Sequence, residues 1–193
     1  DHGYDEVQPP VIVNSQSLIG TALVFHHVSL MDSRGLDTMV AASALSVIAP
    51  GALLGTFLAG FLCDRFPNRF ILIGGQLVLI FAMLLTFVMA HPWQVILYGG
   101  SLGLSGGIMM TTSAVIWPNY YGREHLGSIR GVVTSGMVAA AALGPLPFGF
   151  LFDVANSYTF AVLIFLALPA ACIIAAFMAT PPQLAQRTQA RVA

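Results

Sequence analysis

Gly103, Ser105 and Gly107 form a Gly-x-Ser-x-Gly pattern, which presents a nucleophilic serine in many hydrolases. Such a serine needs a strand before it and a histidine that accepts its proton. No strand pattern precedes Ser105, and residues 158–179, where a six-helix intramembrane serine protease would carry its histidine, contain none. The sequence therefore indicates that the chain is not an enzyme, and helix packing explains the glycines better.

Two adjacent histidines, His26 and His27, lie in the outer part of the first apolar stretch, where ionisable side chains are rare and often functional. Imidazole changes its charge near physiological pH, so at least one of them can take part in proton coupling or substrate binding. Adjacent helical positions differ by about 100°, so one of the two must face elsewhere. An interfacial position at the membrane boundary is the alternative, and both interpretations stay open.

These residues belong to a chain whose solvent must be lipid. Of its 193 residues, 57% are hydrophobic and only 8% are charged, which leaves too little polar surface to cover a water-soluble globule. The apolar residues gather in runs of about 20, the length that an α-helix needs to cross a bilayer. A net charge of −1 and the absence of lysine give no basic patch for nucleic acid. We also expect no cofactor and no metal site.

The pattern predicts an all-α integral membrane protein that folds as a bundle of six transmembrane helices. The bundle is expected over residues 11–179, between a cytoplasmic polar segment at 1–10 and a cytoplasmic C-terminal tail at 180–193. Its spans are predicted at residues 11–31, 39–63, 70–90, 93–116, 128–152 and 158–179. Because the chain begins at Asp1 without an initiator methionine, we expect a fragment or a processed product.

The arginines predict the orientation in the membrane. With both termini in the cytoplasm, the cytoplasmic loops and tail hold six arginines and the opposite side holds only Arg34. Short cytoplasmic loops of multi-pass proteins carry such an excess of basic residues. The six are Arg65, Arg69, Arg123, Arg130, Arg187 and Arg191. We therefore expect a multi-pass protein of the bacterial inner (plasma) membrane with both termini inside.

Small residues recur at four-residue spacing in three spans and predict close helix packing. In lipid, helices approach each other through small side chains because no hydrophobic drive acts between them. The three sets are Gly51, Gly55 and Ala59; Gly99, Gly103 and Gly107; and Gly136, Ala140 and Gly144. Pro50 and Pro145 lie inside spans and remove backbone hydrogen bonds, so kinks are expected there.

The loop after the second span carries a recognisable motif. Gly60, Asp64, Arg65 and Arg69 match, in place, a Gly-x-x-x-Asp-Arg-x-Gly-Arg-Arg pattern. Here the chain resembles the major facilitator superfamily, whose members carry this motif after the second helix of each six-helix half. Positions 67 and 68 hold Pro and Asn instead of the usual Gly and Arg. Such degeneration is common in the second half, so the resemblance implies helices seven to twelve, the C-terminal half of the fold.

A second stretch is similar to the monocarboxylate and oxalate/formate porter branch of that superfamily. It comprises Tyr120 to Gly131, Leu143 to Pro145 and Gly149 to Asp153. The resemblance implies secondary active transport of a small solute by alternating access in a twelve-helix porter, with a monocarboxylate or another small organic molecule as the substrate. The implied partners are that substrate, the lipid bilayer, and either a missing N-terminal six-helix half or a second copy of the chain.

The resemblance also makes the charged loops a cytoplasmic conformational latch rather than a substrate site. Paired charges there can hold one conformation until rocking of the two halves breaks the contacts. An ordinary turn with weak, exposed ion pairs is the alternative. The predicted latch residues are Gly60, Asp64, Arg65, Arg69, Arg123, Glu124 and Arg130.

The substrate site of such a porter is expected near the bilayer midplane, on the first, second, fourth and fifth spans. The predicted cavity residues are Thr21, Phe25, His26, Ser101 and Ser105. Carboxylate transporters of the similar branch usually place a basic residue in the second or fifth helix of this half. Residues 40–62 and 131–152 contain no Arg, Lys or His, so either another part of the porter supplies the charge or the substrate is neutral. A non-transporting six-helix scaffold or assembly protein is the alternative function.

Overall fold

The computed structural model describes residues 8–121 and 126–178, and all of its regular elements there are α-helices. Runs of apolar residues that satisfy their own backbone hydrogen bonds favour this arrangement in lipid. The helices are α1 Gln8–Phe25, α2 His27–Asp32, α3 Thr38–Cys63, α4 Asn68–Val88, α5 Pro92–Tyr121, α6 Leu126–Leu143, α7 Pro145–Ala155 and α8 Tyr158–Met178.

Five helical segments are long and apolar enough to cross a membrane, and a sixth is shorter. The five are Thr38–Cys63, Asn68–Val88, Pro92–Pro118, Leu126–Ala155 and Tyr158–Phe177, and the shorter apolar helix is Val11–Phe25. Each coincides with one of the six spans that the sequence predicts. The predicted all-α membrane bundle is therefore confirmed.

Two of the six spans are interrupted. The first changes from α1 to α2 at His26, where the backbone N–H still donates to the carbonyl of Ala22. The fifth changes from α6 to α7 at Gly144, next to Pro145, which has no N–H to donate. The predicted break at Pro145 is thus present, whereas α3 continues as one helix through Pro50.

The first span occupies the centre of the bundle. α1 packs against α5, α6, α7 and α8, and its Ile19, Ala22 and Leu23 have no solvent-accessible surface. By contrast, α3 and α6 bury few of their side chains, and large apolar residues such as Leu54, Phe57 and Val132 are exposed. The apolar faces of α3 and α6 are therefore not covered by the described part of the chain.

The closest packing in the bundle joins α3 to α5. Glycines on both helices lie directly against the backbone of the other helix, so that a Cβ added to any of them would overlap a carbonyl oxygen. The pairs are Gly51 with Gly100, Gly55 with Leu104, Gly99 with Ala44, Gly103 with Ile48 and Gly107 with Ala52. The packing predicted from the glycine spacing is confirmed for these two helices, and on the fifth span Gly144 contacts the Leu18 carbonyl of α1 in the same way.

Replacing Gly103 by Ala is expected to lower the free energy of unfolding by about 1–3 kcal/mol, because the new methyl group must push the Ile48 carbonyl away. Gly106 lies on the same helix and has nothing within 4 Å of the position that a Cβ would take, so Gly106→Ala is the matched control. Its higher helix propensity should leave stability unchanged or raise it by up to about 1 kcal/mol. Thermal unfolding in detergent measures both, and equal midpoints would contradict this packing.

Candidate functional site

A cavity of about 290 Å³ lies between α1, α3, α5 and α6. Small residues on α1 and α5 leave this space open, because Gly20 and Gly106 contribute no side chain to fill it. The lining residues are Val13, Gln16, Ser17, Gly20, Thr21, Val24, Ile48, Ala52, Leu102, Gly103, Gly106, Met109, Met110 and Met137. Four different spans therefore build one site.

The cavity is mostly apolar and opens at the surface of the bundle. Met110 and Val24 line it and are themselves exposed, Met110 by 72% of its surface. Met109 and Met137 add two more thioether side chains, which adapt to ligands of different shape because they are unbranched and polarisable. No charged residue is among the described lining residues.

Gln16 supplies a polar group at the wall of this cavity. Its side chain is only 8% exposed, and Nε2 donates a hydrogen bond to Ser105 Oγ at 3.0 Å. The Ser105 hydroxyl in turn donates to the Leu102 carbonyl at 2.9 Å. The amide oxygen Oε1 of Gln16 is buried and has no partner among the described residues. Gln16 therefore ties α1 to α5 and keeps one acceptor free.

A second buried glutamine, Gln76, binds α4 to α1 on the other side of the bundle core. Its Nε2 donates to the Ile12 carbonyl at 3.0 Å and to Ser15 Oγ at 3.2 Å. Cys172 Sγ on α8 donates to the same Ser15 oxygen at 3.4 Å. Gln76 is not among the residues that line the cavity, so this network is structural.

The structure separates the predicted cavity residues. Thr21 lines the cavity, whereas Phe25, His26, Ser101 and Ser105 are not among its lining residues. Phe25 is 72% exposed on the surface of the bundle. Ser101 and Ser105 are both buried, and Ser105 contacts the site only through Gln16.

His26 links the interruptions of the first and fifth spans. Its Nε2 lies 3.1 Å from the carbonyl oxygen of Pro145, and because a carbonyl only accepts, Nε2 carries the hydrogen. The ring packs beside Phe148 and Tyr158, with centroids 5.3 Å and 5.9 Å away. A Cβ on Gly149 would come within 3.3 Å of this ring, so the glycine makes room for it.

His27 faces a different helix, as the 100° offset between neighbours predicts. Its Nε2 donates to the Ala41 carbonyl of α3 at 2.9 Å. The ring stacks on Tyr98 with an interplanar angle of 10° and a centroid distance of 5.6 Å. Both histidines therefore hold helices together in this conformation, and neither lies in the cavity.

A smaller polar cavity of about 170 Å³ lies between the end of α2 and the α7–α8 junction. Arg34 Nη2 donates to Thr159 Oγ1 at 3.1 Å, and the Tyr158 hydroxyl donates to Ser29 Oγ at 2.8 Å. These bonds fasten the first and last spans at one end of the bundle.

Four of the predicted latch residues, Gly60, Asp64, Arg65 and Arg69, lie at or near the α3–α4 junction. Helix α3 ends before Asp64, and the Arg65 guanidinium lies over the Phe61 ring at 4.1 Å. Arg69 lies over the Phe70 ring at 4.7 Å. Gly60 has nothing within 4 Å of the position that a Cβ would take.

The other predicted latch residues belong to the junction of α5 and α6. Arg130 Nη2 donates to the Ala114 carbonyl of α5 at 3.2 Å. Arg123 and Glu124 lie outside the described residues. The ion pairs of the latch therefore stay a prediction.

No group of three or more His, Cys, Asp or Glu residues that could hold a metal ion occurs within the described ranges, 8–121 and 126–178. Sequence reasoning missed Gln16 and the three methionines of the cavity. A buried amide on the first span was a usable signal, because polar side chains in lipid need partners or a cavity. Methionines carry no such signal, since they fit equally into any apolar core.

Comparison with known proteins connects this architecture to a family. The family model described as Major Facilitator Superfamily matches residues 12–192. The multidrug resistance protein MdtG of Klebsiella pneumoniae (strain 342) is 34% identical over 94 residues, and MdtG of Salmonella choleraesuis (strain SC-B67) is 33% identical over the same length. Each match covers 49% of this chain but only 23% of the relative.

Proposed function

We propose that this chain, which belongs to the Major Facilitator Superfamily, is one six-helix half of a twelve-helix porter that moves a small uncharged organic solute by alternating access. The observation that carries the proposal is the open, mostly apolar cavity between α1, α3, α5 and α6. Binding near the contact of two helical halves is how such folds couple a solute to rocking. Family membership also agrees with a transport protein rather than an enzyme.

The exposed apolar faces of α3 and α6 support a second six-helix unit. Leu54 and Phe57 on α3 and Val132 and Val138 on α6 are exposed by more than two fifths of their surface. Lipid covers part of such a face, but α3 and α6 also line the cavity. A porter must be able to close its substrate site from both sides of the membrane, which requires a second unit against this cavity. The degenerate motif at Gly60 to Arg69 favours this chain as the C-terminal half. It therefore favours the N-terminal half, rather than a second copy of this chain, as the partner.

The charged junctions act, in this proposal, as a latch at the cytoplasmic ends of the helices. The cation–π contacts of Arg65 with Phe61 and of Arg69 with Phe70 hold the first two guanidinium groups at the α3–α4 junction. Arg130 bridges α6 to the Ala114 carbonyl of α5. Asp64 supplies, in this proposal, the acidic partner of the latch, so Asp64→Asn should leave one conformation unheld and slow transport without removing solute binding.

The cavity favours a neutral solute over a carboxylate. Burying an anion requires a nearby positive charge, and the described lining has none. Arg34 is held by Thr159 at a different site. The relatives are named multidrug resistance proteins, which fits an apolar and adaptable cavity. A monocarboxylate, which the resemblance to the oxalate/formate branch implies, would need a cation from the other half.

The orientation can be tested with single cysteines in a chain in which Cys63 and Cys172 are replaced by alanine. We expect an impermeant maleimide added to intact cells to label Ser33→Cys but not Phe66→Cys, because both positions are exposed and the arginine bias puts only position 66 inside. Permeabilised cells are the control, in which both are labelled. The reverse pattern in intact cells would contradict cytoplasmic termini.

Transport can be tested by measuring the accumulation of radiolabelled chloramphenicol, an uncharged solute, in cells that express the full-length product of this gene. Steady-state accumulation should differ at least about twofold from that of cells with an empty vector. Radiolabelled lactate is the matched anionic probe and should be unaffected. Asp64→Asn should reduce the chloramphenicol effect.

A change for lactate alone would favour the monocarboxylate alternative. No change for either probe, with the protein present in the membrane, would contradict transport of both solute classes and favour the scaffold function.

A further inference from the structure

We propose that the polar cavity of about 170 Å³ between the end of α2 and the α7–α8 junction binds an oxyanion of the phosphate class, which the headgroup of a phospholipid supplies. Arg34 is the cation of this site, and Asn156 and Ser157 bring further hydrogen-bond donors to its wall. No described residue lines both this cavity and the larger one that the transport proposal uses. The inference therefore does not depend on transport.

The guanidinium group of Arg34 has donors that no described residue uses. Its Nη2 donates to Thr159 Oγ1 at 3.1 Å, and both residues line the cavity. Arg34 forms no ion pair within the described chain, and its Nε and Nη1 are neither hydrogen-bonded nor buried. A ligand can therefore reach these nitrogens. They belong to the planar, permanently charged fork that binds two oxygens of a phosphate group.

Two neighbouring side chains add neutral donors to the same wall. Ser157 Oγ accepts the backbone N–H of Thr159 at 3.2 Å, and its own hydrogen has no acceptor among the described residues. The side chain of Asn156 is exposed and likewise forms no hydrogen bond with the described chain. No Asp or Glu is among the described lining residues. A wall with unused donors, a positive charge and no carboxylate fits a ligand whose polar atoms are all acceptors.

The remaining walls of this cavity are held by contacts between α2, α7 and α8. The Tyr158 hydroxyl donates to Ser29 Oγ at 2.8 Å, and the Tyr158 ring stacks on Phe152 with a centroid distance of 4.2 Å. The Ser33 hydroxyl donates to the Leu30 carbonyl at 2.7 Å and is not available to a ligand. The site is therefore formed before a ligand enters, and binding loses little free energy to ordering of the chain.

Three carboxylates lie at the same end of the bundle, outside the cavity. Asp32, Asp37 and Asp153 are exposed, and none of them lines the site. Water and salt screen exposed charges, so their repulsion of an anion is weaker than its direct hydrogen bonds to a guanidinium group. Arg34 is the only arginine at this end within the described chain, and the sequence has no lysine. An anion that approaches this end therefore has one strong binding partner.

The position of the cavity favours a phospholipid as the source of the phosphate. It lies where two apolar spans end, at the junction of Leu126–Ala155 and Tyr158–Phe177, and headgroups lie beside the ends of such spans. Val154 and Phe160, close in sequence to the lining residues, are exposed and offer an apolar surface for the acyl chains. A volume of about 170 Å³ is smaller than the roughly 300–1,000 Å³ of sites for drug-sized ligands, so it suits a headgroup.

The test measures binding of phosphatidylglycerol and of inorganic phosphate to the full-length gene product in detergent. Native mass spectrometry counts the bound lipids as phosphatidylglycerol is added, and equilibrium dialysis with radiolabelled phosphate measures the free anion. Arg34→Gln should weaken the binding of one lipid per chain about tenfold, because charge-assisted hydrogen bonds are lost. Lipids bound by arginines at the other end of the bundle should remain. Inorganic phosphate should bind more weakly than the lipid and should also depend on Arg34.

Two further variants separate binding from a structural role of Arg34. Thr159→Val removes the acceptor that ties Arg34 to α8 but keeps the guanidinium group, so lipid affinity should stay within about twofold. Asn156 has a φ of 49°, which glycine adopts without strain, so Asn156→Gly removes the amide and leaves the backbone in place. Loss of this neutral donor should weaken lipid binding about threefold. Size-exclusion chromatography shows whether each variant is folded.

The inference is overturned if neither probe binds, if Arg34→Gln binds both as tightly as the unmodified protein, or if Thr159→Val weakens binding as much as Arg34→Gln. Should Arg34→Gln fail to fold, Asn156→Gly decides, and an unchanged lipid affinity in that variant would overturn the site. Binding of inorganic phosphate alone that depends on Arg34 would support the oxyanion site and contradict the lipid as its source. None of these outcomes bears on the accumulation assay with chloramphenicol.

Discussion

The backbone contact between α3 and α5 is the interaction on which the rest of the structure depends. In lipid no hydrophobic force draws helices together, so affinity between them comes from close approach and dispersion over a long seam. Five glycines let the two helices touch through backbone atoms, along Ala44 to Gly55 of α3 and Gly99 to Gly107 of α5. These two helices form two walls of the cavity. Helix α5 also carries Ser105, whose hydroxyl oxygen accepts a hydrogen bond from Gln16 on the central helix α1.

Buried and half-buried polar side chains hold the helices together. His26, His27 and Gln76 each bond to a backbone carbonyl of another helix, which offsets the cost of burying them away from water. Gln16 uses only its donor in this way. The low dielectric around these side chains strengthens the bonds between the helices.

The sequence predicts the six spans and the glycine seam because both follow from local patterns: run length for the spans and four-residue spacing for the seam. Of the polar residues that line the cavity, it predicts Thr21 but not Gln16 or Ser17. On α5, Gly103 and Gly106 line the cavity, whereas Ser105 between them is buried in the core. Turning this helix by the angle between neighbouring residues would exchange the two environments. The rotational position of α5 depends on how α1 and α5 pack together, and a single sequence does not predict that packing. The two histidines were expected to face different helices, and they do. Their partners, the carbonyl groups of Pro145 and Ala41, depend on helix breaks whose direction the sequence does not predict.

The central claim is that these helices are one half of a larger transporter. The most direct measurement is the sequence of the gene upstream of the codon for Asp1, translated in frame. We predict about six further apolar spans of about 20 residues each, with a fuller Gly-x-x-x-Asp-Arg-x-Gly-Arg-Arg loop after the second of them. A start codon close to Asp1 with no further spans would contradict the claim of an N-terminal half.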